Sequence, residues 1–433
     1  MATTYLTNTF SSPTNNYKWT LSVWVKRSGL GANQYIFQTY PSGQGYSRLY
    51  FDDTDKIQFD GNDTSQGNAF DLKTTRLFRD TNAWYHIVLK WDVTQGTASN
   101  RVKIYVNGVE EGNYGTETYP AQNVTYPINR DKLHNIGRHN TDTNTYFDGV
   151  MSHFHFTDGY SYDATTFGST DSTTGEWKIN TAPSITMGTN GFTILKDGMT
   201  ITDQSSNSNN WTLANGTLTK TEDCPSNVFA TMNPLSSLST FSQGNNRILF
   251  SSGSGYQTST STLGMVSGKF YAEMKIQIEH NNYPGIGIAA TNSLAASKMD
   301  SDWLGEHSDT YGYYLDGAIY NNGSSVTSGQ TTFTTGDIVG LALDLDSTQN
   351  TLKYYKNGAL VYTLNINTNS NGYMFASTTQ TNTANAAAEW NFGNGVFGTG
   401  NVSSAGTNAS NNGIFEYDVP TGYTALSTKG LNL

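Results

Sequence analysis

The sequence predicts an all-β chain built as two β-sandwiches in tandem, and three observations carry that expectation. One pattern occurs once in each half. An apolar strand ends in Asp, a polar turn follows, and a second strand stops at Asn-Gly. The first copy runs Ile87-Val88-Leu89-Lys90-Trp91-Asp92 to Lys103-Ile104-Tyr105-Val106-Asn107-Gly108, and the second runs Val339-Gly340-Leu341-Ala342-Leu343-Asp344 to Lys353-Tyr354-Tyr355-Lys356-Asn357-Gly358. Asn-Gly marks a tight hairpin because a type I′ turn needs positive φ at both central residues. The second observation is composition: 27 Tyr, 20 Phe, 8 Trp and 43 Gly, with only 14% charged residues. Aromatic and β-branched residues suit half-buried strands, and Gly, Asn and Ser suit the turns between them. The third is length, since 433 residues accommodate two sandwiches of about 200 residues each. Long helical spacing is absent, so very little helix is expected.

In the first half, Trp19 to Lys26 alternates, which puts Trp19, Leu21, Val23 and Val25 on the core face and Thr20, Ser22, Trp24 and Lys26 on the other. Further strands are expected over Ser47 to Asp52, Lys56 to Asp60, Trp84 to Asp92, Val102 to Asn107 and Gly149 to Thr157. The Asn- and Ser-rich passage Ser205 to Asn210 reads as the boundary, with Trp211-Thr212-Leu213 a candidate strand of the first unit. The expected division is 1–180, a connecting segment 181–235 that partly completes the first domain, and 236–433.

The prolines of Cys224 to Leu235 discourage helix and give an extended lead-in. Phe270 to Glu279 is the cleanest alternating strand, with even positions apolar and odd positions expected to be wet. Strands then recur at Gly285 to Ala290, Tyr311 to Tyr314, Ala318 to Asn321, Ile338 to Leu345, Thr351 to Lys356 and Glu389 to Phe392. A terminal strand is expected from Phe415 to Pro420 and Tyr423 to Leu426.

Composition also excludes functions. A net charge of −11 with 24 scattered basic residues argues against a nucleic-acid binder, which needs clustered Lys and Arg. The single Cys224 cannot form an intrachain disulfide and reads as a packed thiol. Met1 to Phe10 lacks a charged region followed by an apolar core, and no stretch approaches the roughly 20 apolar residues of a membrane span. A soluble chain without membrane insertion or conventional secretion is expected.

The first half resembles a laminin-G or pentraxin-type concanavalin-like domain through Trp19 to Lys26, Trp84-Tyr85-His86-Ile87-Val88, Val102 to Gly108, and Phe147-Asp148-Gly149-Val150-Met151-Ser152. The second resembles a SPRY domain through Ser267-Gly268-Lys269-Phe270-Tyr271-Ala272-Glu273, Gly285-Ile286-Gly287-Ile288, Tyr311-Gly312-Tyr313, Gly336 to Gly340, Leu343 to Asp346, Asn357-Gly358 and Asn391-Phe392-Gly393. Both imply the concanavalin-like jelly-roll sandwich. The tandem, with Asn233-Pro234-Leu235 between the modules, is similar to virion structural proteins of tailed, especially marine, bacteriophages. That resemblance implies a tail fibre, receptor-binding or capsid-decoration component, made in the host cytoplasm and carried on the virion surface. The implied partners are other virion proteins and host cell-surface carbohydrate. A homo-oligomer is implied, with a trimer ahead of a monomer.

Chemistry is sparse. Glucanases of this fold pair two Glu about 5 Å apart, whereas Glu273 and Glu279 on one strand stand about 20 Å apart at 3.3 Å per residue. No enzyme activity is therefore expected, and a glycan-degrading depolymerase is the alternative. An architectural decoration protein is a third reading. His153 and His155 share a strand face but lack a third zinc ligand. No cofactor is required. Calcium is a candidate at Asp52, Asp53 and Asp55 and at Asp344 and Asp346, where turn chemistry is the competing explanation. Glycan or partner contact needs exposed aromatic faces with polar groups nearby. Trp24, His153, His155, Trp303, Tyr311, Tyr313, Tyr314, Asp316, Tyr320 and Asn321 are the candidates.

Overall fold

A computed structural model describes residues 3–64, 67–140, 145–235, 239–250, 255–278, 284–293, 301–380 and 386–432. Apart from three short 3-10 turns, the regular structure of these residues is all β. The chain divides into two compact units, Met1–Lys220 and Thr221–Leu433.

The first unit packs an eight-stranded sheet against a six-stranded one. In the six-stranded sheet the order is Phe192–Ile194, Gly149–Asp158, Lys18–Arg27, Trp84–Asp92, Val102–Val106, Val109–Glu110. The expected alternation holds at the core face, where Trp19, Leu21, Val23 and Val25 are buried against Ile87, Leu89, Trp91 and Ile104. Trp19 stacks on Trp91 at 5.2 Å between ring centroids, and Phe59 and Phe70 close around Trp91 edge-on. Offset and edge-to-face contacts of this kind add about 0.5–1.5 kcal/mol per pair beyond area burial. Trp211 lies in this core and Thr212–Asn215 pairs with Tyr5–Thr9.

The second unit repeats the architecture. One sheet runs Thr240–Ser242, Arg247–Phe250, Ala386–Asn391, Lys269–Ile278, Ile338–Asp344, Thr351–Lys356, Ala359–Asn365, and the other runs Tyr256–Thr260, Tyr373–Gln380, Gly285–Ala290, Thr310–Tyr314, Ile319–Asn321, Ser324–Thr327. Phe270, Ala272, Met274 and Ile276 enter a core with Leu341, Leu343, Tyr354 and Trp390.

The repeated motif does the same work in both units. Asn107 and Gly108 have φ of 50° and 78°, and Asn357 and Gly358 have 48° and 81°, as a type I′ hairpin requires. Each Asn side chain also ties the turn to the preceding strand. Asn107 Oδ1 accepts the His86 N–H at 2.7 Å, and Asn357 Oδ1 accepts that of Ile338 at 2.9 Å. The strand-ending Asp closes the opposite turn in both copies. Asp92 accepts the Thr94 N–H and pairs with Lys18, while Asp344 accepts those of Asp346 and Ser347 and pairs with Lys269.

Two expectations fail at the outer sheet faces. The odd face of Lys269–Ile278 is not wet at Tyr271 and Glu273, because a C-terminal segment lies over them, while Lys275 and Gln277 are half-buried. Tyr271 and Ala342 on that face pack with Phe229, Phe415, Val419, Tyr423 and Ala425. Phe415 to Pro420 forms no strand; instead only Thr424–Ala425 pairs with the sheet, parallel to Phe270 and Tyr271. In the first unit a Gly168–Thr170/Trp177–Ile179 hairpin covers part of the outer face in the same way, with Phe167 and Trp177 packing on Val88 and Tyr105.

Candidate functional site

The uncovered end of that first outer face forms a cleft. Strand pairing sets Lys18 opposite Asp92, Thr20 opposite Lys90, and Lys90 opposite Lys103. Residues facing the same side of adjacent strands are within reach of one another. With Gln95, Asn100, Gly159, Tyr160 and Ser161, these lysines and Asp92 line a space of about 480 Å³, within the size range of small-molecule sites. Each lysine has a carboxylate partner: Lys18 with Asp92 at 3.3 Å, Lys90 with Asp163 at 2.7 Å, and Lys103 with Glu110 at 2.9 Å. The cleft is therefore polar rather than strongly charged.

Burial pushes the Asp92 carboxyl up, but hydrogen bonds from Thr94 and Gln95 and the Lys18 ammonium outweigh it and hold the group below the usual range. Asp92 is thus a fixed anion and a poor proton donor. Tyr160 stands at the rim, 38% exposed. Its carbonyl accepts hydrogen bonds from the hydroxyls of Thr20 at 3.0 Å and Thr157 at 2.9 Å, which fixes the backbone that presents the ring. Ammonium donors, a carboxylate acceptor and an exposed aromatic side chain suit a ligand rich in hydroxyl groups.

The residues singled out from sequence in this unit lie elsewhere. Trp24 is only 4% exposed, because it stacks on His86 at 4.7 Å under the covering hairpin. His86 in turn accepts the Trp177 indole N–H at Nδ1, 2.9 Å, and bonds the Ser22 hydroxyl at Nε2, 2.8 Å. His155 is buried against Phe167 and bonds the Thr193 hydroxyl. A bulge between Ser152 and His155 turns His153 out of register, with φ of 47°. His153 is half-buried and bonded to Ser152. Burial pulls His86 and His155 down to about 3 and His153 down to about 4. The outward parity of Trp24 and His155 is legible in the alternation; the bulge at His153 and the cover over all of them are not.

In the second unit Tyr311, Tyr313 and Tyr314 are buried, not contact residues. Tyr311 and Tyr313 belong to the core, and the Tyr314 hydroxyl donates to the Leu304 carbonyl at 2.9 Å. Trp303, Tyr320 and Asn321 are half-buried and Asp316 is exposed. Trp303 meets Tyr320 edge-on at 5.3 Å, and the Asn321 amide donates to the carbonyls of His307, Ser308 and Thr310. Glu273, expected on a wet face, is fully buried. Glu279 lies outside the described residues.

The Asp clusters are occupied by the chain itself. Asp52 binds Lys73 and accepts from Thr54 and Lys56; Asp55 binds Arg27 and Arg79 and accepts the Gly31 N–H. Asp53 is exposed and donates its backbone N–H to Asn33. Asp344 binds Lys269, and Asp346 accepts the Gly268 N–H at 2.6 Å. Among the described residues, the group of three metal-ligating side chains is a different one: Asp302, Glu306 and His307, whose ligand atoms lie within 4.8 Å of one another. No sequence pattern flagged these three or the cleft. The available signal for the cleft was the shared outward parity of Lys18, Lys90 and Lys103.

Among the described residues no helix is long and apolar enough to cross a membrane. Residues 2–160 match the laminin-G family described as the concanavalin A-like lectin/glucanases superfamily, and residues 269–394 match the SPRY domain family. The chain thus carries a concanavalin A-like, laminin-G-type domain followed by a SPRY domain. Among solved structures, the SPRY domain of human HERC1 is 18% identical, with 37% of this chain and 96% of that chain covered and a TM-score of 0.32. A second human SPRY domain is 16% identical, covering 37% and 95% with a TM-score of 0.29. A heptameric SAP-like pentraxin from Limulus polyphemus is 15% identical, covering 35% and 69% with a TM-score of 0.25. No curated protein matches the chain.

Proposed function

We propose that this protein is a non-enzymatic binding protein whose first domain holds carbohydrate in the Lys18–Lys90–Lys103 cleft, and that it serves as a surface component of a bacteriophage virion. The observation that carries the binding reading is the open polar cleft with the exposed Tyr160 among its lining residues. Hydroxyl-rich ligands need both features, an aromatic face for C–H groups and short polar arms for oxygens. A retaining or inverting glycosidase needs a carboxylic acid that can give up a proton, and the hydrogen bonds on Asp92 favour binding without turnover. The virion setting, its tail-fibre, receptor-binding or decoration role, its other virion partners and its oligomeric assembly rest on the tandem resemblance. In this reading no cofactor is needed.

Glycan-array binding by the whole chain, without release of reducing ends, is the expected result. Product formation would replace this reading with a depolymerase. Failure to bind any glycan, combined with stoichiometric attachment to capsids, would replace it with an architectural role. Labelled electron microscopy of virions tests the location directly.

A further inference from the structure

We infer that Asp302, Glu306 and His307 form a binding site for a divalent transition-metal ion of the zinc or manganese class. The site lies in the second domain and is independent of the carbohydrate reading. His307 Nε2 stands 2.8 Å from Asp302 Oδ2, and the Glu306 carboxylate is within 4.8 Å of both. Ligands bound at about 2.0–2.2 Å from a common ion sit roughly 3 Å apart. Seating an ion between His307 Nε2 and Asp302 Oδ2 therefore needs only a small opening of that pair.

The donor set chooses the ion class. One imidazole nitrogen and two carboxylates suit zinc or manganese, whereas calcium takes six to eight oxygens. Glu306 accepts the Trp303 N–H at 3.2 Å, and its second oxygen remains for the ion. All three side chains are half-buried, so the protein supplies three ligands and leaves the remaining positions to water or to an oxygen of a partner.

The backbone that carries the ligands is held in advance. The Thr310 hydroxyl accepts the N–H groups of Gly305 at 3.0 Å and His307 at 3.1 Å. From the adjoining hairpin, Gly323 donates to the Gly305 carbonyl at 2.8 Å and Asn322 to that of His307 at 3.2 Å. Little loop ordering is left for the ion to drive.

Isothermal titration of the untagged, chelator-treated full chain with zinc chloride, and separately with manganese chloride, tests the site. One ion per chain is expected for at least one of the two metals. His307→Gln and Asp302→Asn should each weaken it by at least about tenfold, with far-ultraviolet circular dichroism matching the parent. Glu306→Gln supplies a third variant should either of those fail to fold. Asp53→Asn and Cys224→Ser should bind as the parent does, and the metal-dependent rise in Tm should vanish with the ligand variants. Absence of saturable binding by either ion overturns the inference. So does binding that survives the combined His307→Gln and Asp302→Asn change, or that is lost in Cys224→Ser.

Discussion

Replacing Glu273 by Ala should release the C-terminal segment from the second sandwich. The Glu273 carboxylate accepts the backbone N–H of Glu416 at 2.8 Å and of Tyr417 at 2.9 Å, and the Tyr271 hydroxyl at 3.2 Å. Alanine leaves the two backbone donors without an acceptor beneath a covered face, at about 1–3 kcal/mol each. An opposing effect comes from ionisation. Burial, partly offset by those donors, raises the carboxyl from 4.5 to about 7, so its folded form holds a proton that the unfolded form has lost. The associated penalty grows as pH rises from 4.5 to 7 and is small at pH 5. At pH 5 the substitution should therefore cost about 3 kcal/mol, which for a unit of this size lowers Tm by roughly 6–12 °C. At pH 7 the loss should shrink, since alanine also removes the ionisation penalty. Glu273→Gln, which keeps one acceptor, should fall between. Calorimetry and amide exchange at Glu416 and Tyr417 read both effects. Unchanged exchange at those amides, or an equal Tm loss at both pH values, would refute the latch.

Tyr160→Ala and Lys103→Ala should each reduce carbohydrate binding about tenfold with little change in Tm, measured by titration against an array hit, because both side chains are at the open cleft. The first domain should weaken in acid. His86, His134 and His155 are held down at about 3 by burial. The unfolded chain therefore binds protons that the folded one refuses, and stability present above pH 6.5 is lost as pH falls below it. Each group contributes up to about 1.4 kcal/mol per pH unit, a slope opposite in sign to that of Glu273 and visible in calorimetric scans between pH 7 and pH 5. Gly108→Ala should destabilise the first domain by at least about 1–2 kcal/mol, because its φ is 78° and a Cβ there would enter the Trp177 ring. Chemical denaturation checks it, and a neutral result would remove Trp177 from the cover.

The candidate site was less legible than the fold for an identifiable reason. Alternation places Trp24, Ser22 and His155 facing away from the core of their sheet, as the structure has them. It could not tell that Phe167 and Trp177, from a hairpin later in the chain, lie over them. Tyr311 and Tyr313 failed for a related reason: aromatic residues fill a core and form a contact surface equally well, and only packing decides between them. At the Asp clusters, the cations that pair with Asp52 and Asp55 come from Lys73, Arg27 and Arg79, outside the local motif.

Sequence by itself determined what is local. Period-two alternation fixed which residues share a face, and the positive φ tolerated by Asn and Gly fixed the two hairpins that recur in the two domains. Tertiary structure decided what is wet. A strand's pattern specifies two faces, but whether the second meets water depends on segments far along the chain. Those segments buried Glu273 and His86 and left the Lys18 to Lys103 end open.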